Sequence, residues 1–350
     1  MYLINGKKDI KSMNLEELRA EIKEAGFPKF RADQIYKWVH SSVTSFDEMT
    51  NISKDMRAKL NELYVIPGCE IELKRVSKLD GTVKYLYKLY DGDYIEAVVM
   101  KYHHGNSICI SSQVGCKMGC NFCATGKNGF TRNLLPSEML SQVMTAQKDI
   151  GERISNIVLM GMGEPLDNYD NVMKFLELIS DVNGLNIGMR HISLSTCGLV
   201  NRIYELADKN LQLTLSVSLH APNDELRDSM MPINHRYNVE ELLEACRYYC
   251  SKTNKRISFE YAMISGKNDS DAHAKELASK LKGIIAHVNL IPVNDVTGTG
   301  YRKSSTDRLN KFVRILSERG FTATIRRTLG SDIEASCGQL KGKALDTGRI

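Results

Sequence analysis

No run of about 18 apolar residues occurs in this chain of 350, and that is the length a helix needs to cross a bilayer core, so no membrane-spanning helix is expected. The opening residues, MYLINGKKDIKSMNLEE, lack the apolar core of a signal peptide. There is no fixed-period repeat and no low-complexity linker, which excludes solenoids and tethered modules. Charge is also modest, at +5. With no secretion signal, the nine cysteines are expected as reduced metal-binding or catalytic thiols in the cytoplasm, not as a disulfide framework.

What is present is a cysteine triplet. Cys116, Cys120 and Cys123 stand as CxxxCxxC within GCKMGCNFCATG. A closed zinc site wants four ligands, and the other metal-binding side chains are distant: His103 and His104 lie upstream and His191 far downstream. Three thiolates suit a cubane with one iron left open, although zinc remains an alternative on spacing alone. The spacing, with aromatic Phe122 before the last cysteine, resembles the radical S-adenosylmethionine (SAM) superfamily.

Hydrophobic residues make up 42% of the chain, enough for a full core. Up to about residue 65 the pattern is helical, with Leu15, Leu18 and Ile22 on one face and Ile35, Trp38 and Val39 on another. Residues 70–112 switch to strands (CEIELKRVS, TVKYLYKLY, DYIEAVVMKY, SICISSQ) separated by Asp80-Gly81 and Asp91-Gly92 turns. Beyond Cys123, the short β-branched runs NIVLMG, HISLST, LTLSVSLH, ISFEYAMI and HVNLIP alternate with helical patterns. That alternation predicts an α/β fold with a parallel βα barrel or wound sheet.

In such folds the site forms at the C-terminal strand ends. There the sequence places Gly163 and Glu164, Ser195, Ser218 with Leu219 and His220, and Asn294. Gly163 allows close backbone approach, Glu164 can meet a cationic amine, and Ser195, Ser218 and Asn294 can bond ribose, carboxylate or an adenine edge. Cys109 and Cys337 stand apart from the triplet as possible nucleophiles. Cys69, Cys246 and Cys250 are expected to pack in the core, and Cys197 is given no role. Residues 301–350 hold eleven Lys/Arg against five Asp/Glu, a basic stretch that suits a polyanion or simply a solvated helix face.

Longer motifs, from FRADQIYKWVH through SSQVGCKMGCNFCATG, GMGEPLDNYDNV, LSTCG, SLHAPNDELRDSMMPIN and NLIPVN to SCGQLKG, resemble the RlmN family of adenine-C2 RNA methyltransferases over residues 28–343. Two departures are conservative: ASCGQL for AACGQL, and Cys197 where a smaller or hydroxyl residue is usual. The resemblance implies a partial (β/α)6 TIM-like radical SAM barrel. Its expected parts are an N-terminal helical RNA-binding domain (1–68), a β extension (69–112), the barrel (113–330) and a C-terminal segment (331–350). It further implies a [4Fe–4S] cluster on Cys116, Cys120 and Cys123, with SAM on the open iron and two SAM molecules per turnover.

By the same resemblance, one SAM methylates Cys337. The other yields a 5′-deoxyadenosyl radical that takes hydrogen from this methyl group, and the methylene radical adds to adenine carbon 2. Glu96 is then the proton acceptor, and Cys109 resolves the adduct through a transient disulfide with Cys337. The implied substrates are 23S rRNA and tRNA, with a flavodoxin- or ferredoxin-like electron donor, no membrane partner and a monomeric chain. Phe30, Arg31, Lys37, Arg326 and Arg327 are candidate RNA contacts, while Trp38 is expected in the core.

Overall fold

The computed structural model describes residues 2–127, 129–293 and 300–335. Strands β1 (Leu3–Ile4), β2 (Lys7–Asp9) and β3 (Tyr64–Val65) form a small sheet beside helices α1 (Leu15–Glu24), α2 (Phe30–Val39) and α3 (Lys54–Leu63). α1 starts at a capping box: Asn14 Oδ1 accepts the Glu17 N–H at 2.9 Å, and Glu17 accepts the Asn14 N–H at 2.7 Å. The expected apolar faces close a core of their own, in which Leu18, Ile22, Ile35 and Val39 are buried with Phe46 and Leu60. Trp38 packs against that core, and its indole N–H reaches Asn51.

Buried polar contacts fix this unit to the rest of the chain. Lys11 donates to the Pro67 carbonyl at 2.9 Å and to Ser141 at 3.0 Å, Ser137 donates to Asp9 at 2.7 Å, and Tyr36 donates to Asp181 at 2.8 Å. His40 is buried against Tyr36, and both of its ring nitrogens lack a hydrogen-bond partner. Burial pushes its pKa down to about 4, with the Lys11 charge adding to the effect. Between that value and the ordinary 6.5 the unfolded chain binds more protons than the folded one, so stability falls as pH drops through this window. The expected loss is about 3 kcal/mol by pH 4. His40→Phe should melt with a shallower pH slope than wild type over the same range; an equal slope would count against this assignment.

One ten-stranded sheet carries the rest of the fold. β4 (Glu70–Val76), β5 (Val83–Lys88), β6 (Tyr94–Tyr102) and β7 (Gly105–Cys109) run antiparallel. The hairpin of β8 (Gln113–Gly115) and β9 (Phe130–Asn133) brackets the cysteine triplet and the short helix α4 (Ala124–Lys127) that follows it. From β7 onward the pairing is parallel, through β10 (Ile154–Leu159), β11 (Ile192–Thr196), β12 (Thr214–Ser218), β13 (Ile257–Met263), β14 (Ala286–Pro292) and β15 (Thr322–Ile325). The intervening helices are α5 (Pro136–Ile150), α6 (Tyr169–Ser180), α7 (Val200–Asp208), α8 (Asp224–Asp228), α9 (Val239–Thr253), α10 (Asp271–Lys280) and α11 (Thr306–Ser317).

The expected α/β radical SAM fold is therefore present, and β15 adds a seventh parallel strand to the six anticipated. Because β7 pairs with both β6 and β10, the β extension and the barrel share one continuous sheet.

Period-two alternation creates the interior space. In β11, Ile192, Leu194 and Thr196 are buried in the core layer while Ser193 and Ser195 face the concave side; in β12, Leu215 and Val217 alternate with Ser216 and Ser218. Small hydroxyl residues on that side leave room in the lumen. Among the described residues no helix is long and apolar enough to cross a membrane.

Candidate functional site

A pocket at the C-terminal strand ends encloses about 1050 Å³, part of it open solvent. Cys116, Cys120 and Cys123 line one wall, and the ends of β10 to β14 line the others. The triplet loop is braced by the Cys116 N–H to the Gly129 carbonyl at 2.7 Å and by the Cys123 N–H to the Cys120 carbonyl at 3.1 Å. Burial pushes the Cys116 thiol up to about 12 and raises that of Cys120.

Among the described residues no three His, Cys, Asp or Glu side chains converge on a single-ion site. In a cubane each thiolate takes its own iron, so a cluster does not require the three to converge on one ion. Three thiols on one wall, with Met118 and Phe122 giving an apolar lining, fit such a group.

Opposite the cysteines the chain turns at GMGEP. Gly163 has φ +99°, and a Cβ there would lie 2.5 Å from Gln113 Cβ; a Cβ on Gly161 would lie 2.5 Å from the Ile110 carbonyl oxygen. The close backbone approach expected at Gly163 is thus to the chain's own Gln113. Gln113 Oε1 accepts the Glu164 N–H at 2.9 Å, while its amide donates to Asn133 and Asp167 at 2.8 Å each. The buried Glu164 carboxylate accepts the Leu166 N–H at 3.0 Å and the Cys197 N–H at 2.7 Å. Burial raises the Glu164 pKa, and these two N–H groups oppose the rise.

Ser195, Ser218 and His220 all line the pocket, as expected. Leu219 is buried beneath it, donating its N–H to the Glu260 carbonyl at 3.1 Å. His220 adopts φ +58° and accepts the Ala262 N–H on Nδ1 at 2.9 Å, so its proton sits on Nε2. Burial, aided by the Arg227 charge, pushes its pKa down to about 3, and the ring stands edge-on to Phe122. Asn294 lies outside the described residues.

Glu96 and Cys109 sit on the same concave face. Register pairs Lys84 with Val98 and Val98 with Cys109, and Glu96 is two residues from Val98. Glu96 is buried in an ion pair with Lys84 at 3.1 Å. Lys84 also donates to the Glu334 carbonyl at 3.0 Å. Further ties hold the same stretch: Ser77 to Asp332 at 2.7 Å, the Lys78 N–H to Asp332 at 2.9 Å and the Gly330 N–H to Asp80 at 2.9 Å. The chain is thus led over Glu96 three residues before Cys337, which itself lies outside the described residues. The expected disulfide is not borne out, since no disulfide joins the described cysteines and such a bond belongs to turnover.

Sequence reasoning missed the position of three charged residues at this site. Glu260 is buried on the pocket floor, accepting from Asn289 at 2.7 Å and Ser258 at 2.9 Å. Arg326, a candidate RNA contact from the sequence, lines the pocket with its guanidinium 3.9 Å from Glu260. Arg227 is wholly buried behind the β11 and β12 ends. A charge at the β13 centre was a possible signal for Glu260. Cys69, Cys246 and Cys250 are core residues, as expected, and Cys197 lines the pocket with its N–H given to Glu164.

A parallel sheet with three cysteines facing its strand ends defines a radical SAM protein, and residues 110–278 match the radical SAM superfamily. Residues 8–66 match the ribosomal RNA large subunit methyltransferase N-terminal domain. A probable dual-specificity RNA methyltransferase RlmN from Alkaliphilus oremlandii is 53% identical, covering 97% of this chain and 99% of that protein. Its counterpart from Clostridium novyi is also 53% identical, covering 95% and 98%. The crystal structure of a radical SAM methyltransferase from Sphaerobacter thermophilus matches with a TM-score of 0.92 at 43% identity, covering 96% of this chain and all of that one. The chain belongs to the RlmN family of SAM-dependent RNA methyltransferases.

Proposed function

We propose that this enzyme forms 2-methyladenosine in 23S rRNA and in some tRNAs through a methylated Cys337. The observation that carries the reading is the single pocket walled by Cys116, Cys120, Cys123 and the ends of five parallel strands. The three thiolates would hold a [4Fe–4S] cluster, which when bound supplies the low-potential electron for SAM cleavage. Gly163, Glu164, Ser195, Ser218, Leu219, His220 and Asn294 form the SAM-binding surface. Neutral His220 offers a donor at Nε2 without adding charge.

Cys337 presents the methyl group, Glu96 accepts the proton from adenine carbon 2, and Cys109 is the resolving thiol. The anchoring of residues 330–334 beside Glu96 supports this assignment, because it delivers the chain toward the concave face that carries both Glu96 and Cys109. The domains divide as residues 1–68, 69–112, 113–330 and 331–350, the first of them binding RNA. Exposed Phe30, with the half-buried Arg31 over its ring, fits that role, while Trp38 belongs to the core. RNA binding should weaken steeply with salt. The enzyme acts as a cytoplasmic monomer with a flavodoxin- or ferredoxin-like donor.

The test is anaerobic. Reconstituted protein, SAM, reductant and a short 23S rRNA fragment are combined, and the digested adenosine product is identified by mass and chromatography. 2-Methyladenosine is expected, with a mass increase of about 14 Da on Cys337 in protein from SAM-replete cells. 8-Methyladenosine would move the chain to the related resistance-type methyltransferases that modify carbon 8 of the same adenine. Unmodified rRNA and tRNA would leave a cluster protein of another function.

A further inference from the structure

Arg227 is fully buried, yet among the described residues none of its hydrogen-bond partners is a carboxylate. Its guanidinium donates to the carbonyls of Cys197 at 2.6 Å, Leu219 at 3.2 Å and Ser218 at 3.3 Å, and to the Asn234 side-chain oxygen at 2.9 Å. The nearby Asp224 carboxylate is already engaged by Asn234 and the Val239 N–H. One cation thus gathers the loops that follow β11 and β12. Gly198 makes room for it, since a Cβ there would come within 3.3 Å of the guanidinium.

The turn that carries Arg227 also grips the cysteine segment. The Arg227 carbonyl accepts the N–H groups of Met230 at 3.0 Å and Met231 at 2.7 Å. Asn121, between Cys120 and Cys123, donates its N–H to the Met230 carbonyl and its amide to the Ser229 carbonyl, both at 2.9 Å. Met230 and Met231 pack in one apolar cluster with Met118, Cys120 and Phe122.

A buried cation without an anionic partner is costly, and partnering it with an incoming anion recovers that cost. A cubane on three thiolates is anionic, and reduction makes it more so. We propose that Arg227 is a positioning residue that locks the cysteine segment to the strand ends, and that its buried charge raises the reduction potential of the cluster held there. This rests on the reading that Cys116, Cys120 and Cys123 hold a cluster.

Wild type, Arg227→Gln and Arg227→Lys are reconstituted and titrated with dithionite in the presence of redox mediators, without RNA, following the reduced cluster by electron paramagnetic resonance. Arg227→Gln should lose about tenfold in the reduction equilibrium, a midpoint lowered by about 59 mV for one electron. Arg227→Lys keeps the charge but fewer hydrogen bonds. Its apo melting temperature should fall with that of the Gln variant while its midpoint stays with wild type. An unchanged midpoint in a fully loaded Gln variant, or a Lys midpoint as low as the Gln one, overturns the electrostatic claim. Should the Gln variant fail to retain iron, a Lys midpoint about 59 mV or more below wild type overturns the electrostatic claim, and one that stays with wild type upholds it. Wild type that takes up no iron would instead defeat the underlying cluster reading.

Discussion

Cys120→Ala is expected to leave the chain folded and empty of iron. Cys120 sits in an apolar cluster with Met118, Phe122, Met230 and Met231, so alanine keeps the packing and loses only the sulfur. The loop is held by backbone bonds that the substitution does not touch: Asn121 to Met230, Cys123 to Cys120 and Cys116 to Gly129. Apo melting should therefore shift by only a few degrees, the usual result of losing about 1 kcal/mol or less. Iron per chain after reconstitution should fall from about four to near zero, because two thiolates do not retain a cubane. Methyl transfer should fall by at least about three orders of magnitude, since the cofactor and not the protein carries the difficult step. Cys246→Ala is the matched control, a buried thiol in the main core that lines no part of the pocket. It should cost stability and leave iron content alone. Wild-type iron retention in Cys120→Ala would remove the basis for the whole assignment.

The fold was legible where pattern length and chemistry agreed. NIVLMG, HISLST and LTLSVSLH are β-branched runs ending in polar residues, and β10, β11 and β12 occupy them. β15 was missed because TATI is only four residues long and partly exposed, so its Thr-Ala-Thr-Ile alternation carries little apolar signal. The two-residue strands β1 and β3 are too short for any period to show. At the site, the cysteine spacing and the strand-end residues were readable because each motif is local. Arg227, Glu260 and Arg326 were not. Arg227 reads as one of the charges on a short polar helix, DELRD, and only the fold shows its guanidinium turned inward to carbonyls 8 to 30 residues away in sequence. Glu260 stands in the mostly apolar strand ISFEYAM, and its partner Arg326 follows the missed β15. The Lys84–Glu334 tie joins residues 250 apart and leaves no local trace.

Gly163→Ala should disable SAM binding in a chain that still carries its cluster ligands. Two constraints coincide at this residue. Its φ of +99° is a backbone state that L residues rarely adopt, and the added methyl would lie 2.5 Å from Gln113 Cβ and 2.8 Å from the Gln113 nitrogen. Neither neighbour is the free end of a flexible chain. Strain and overpacking together should cost roughly 2–5 kcal/mol, and relief requires the GMGEP turn to withdraw from β8. That movement breaks the Gln113 bond to the Glu164 N–H. It also carries Glu164 away from the N–H groups of Leu166 and Cys197, opening the wall that faces the cysteines. SAM affinity, measured by anaerobic calorimetry on reconstituted protein, should fall more than about tenfold, 1.4 kcal/mol or more. Gly151→Ala separates the two constraints. Gly151 caps α5 with φ +66° but has open space around its Cβ direction, so the same methyl should cost about 1 kcal/mol of stability and leave SAM affinity unchanged. If Gly163→Ala instead bound SAM as tightly as wild type, the GMGEP turn would be a structural corner rather than a wall of the SAM pocket, and the role given to Glu164 would fall with it.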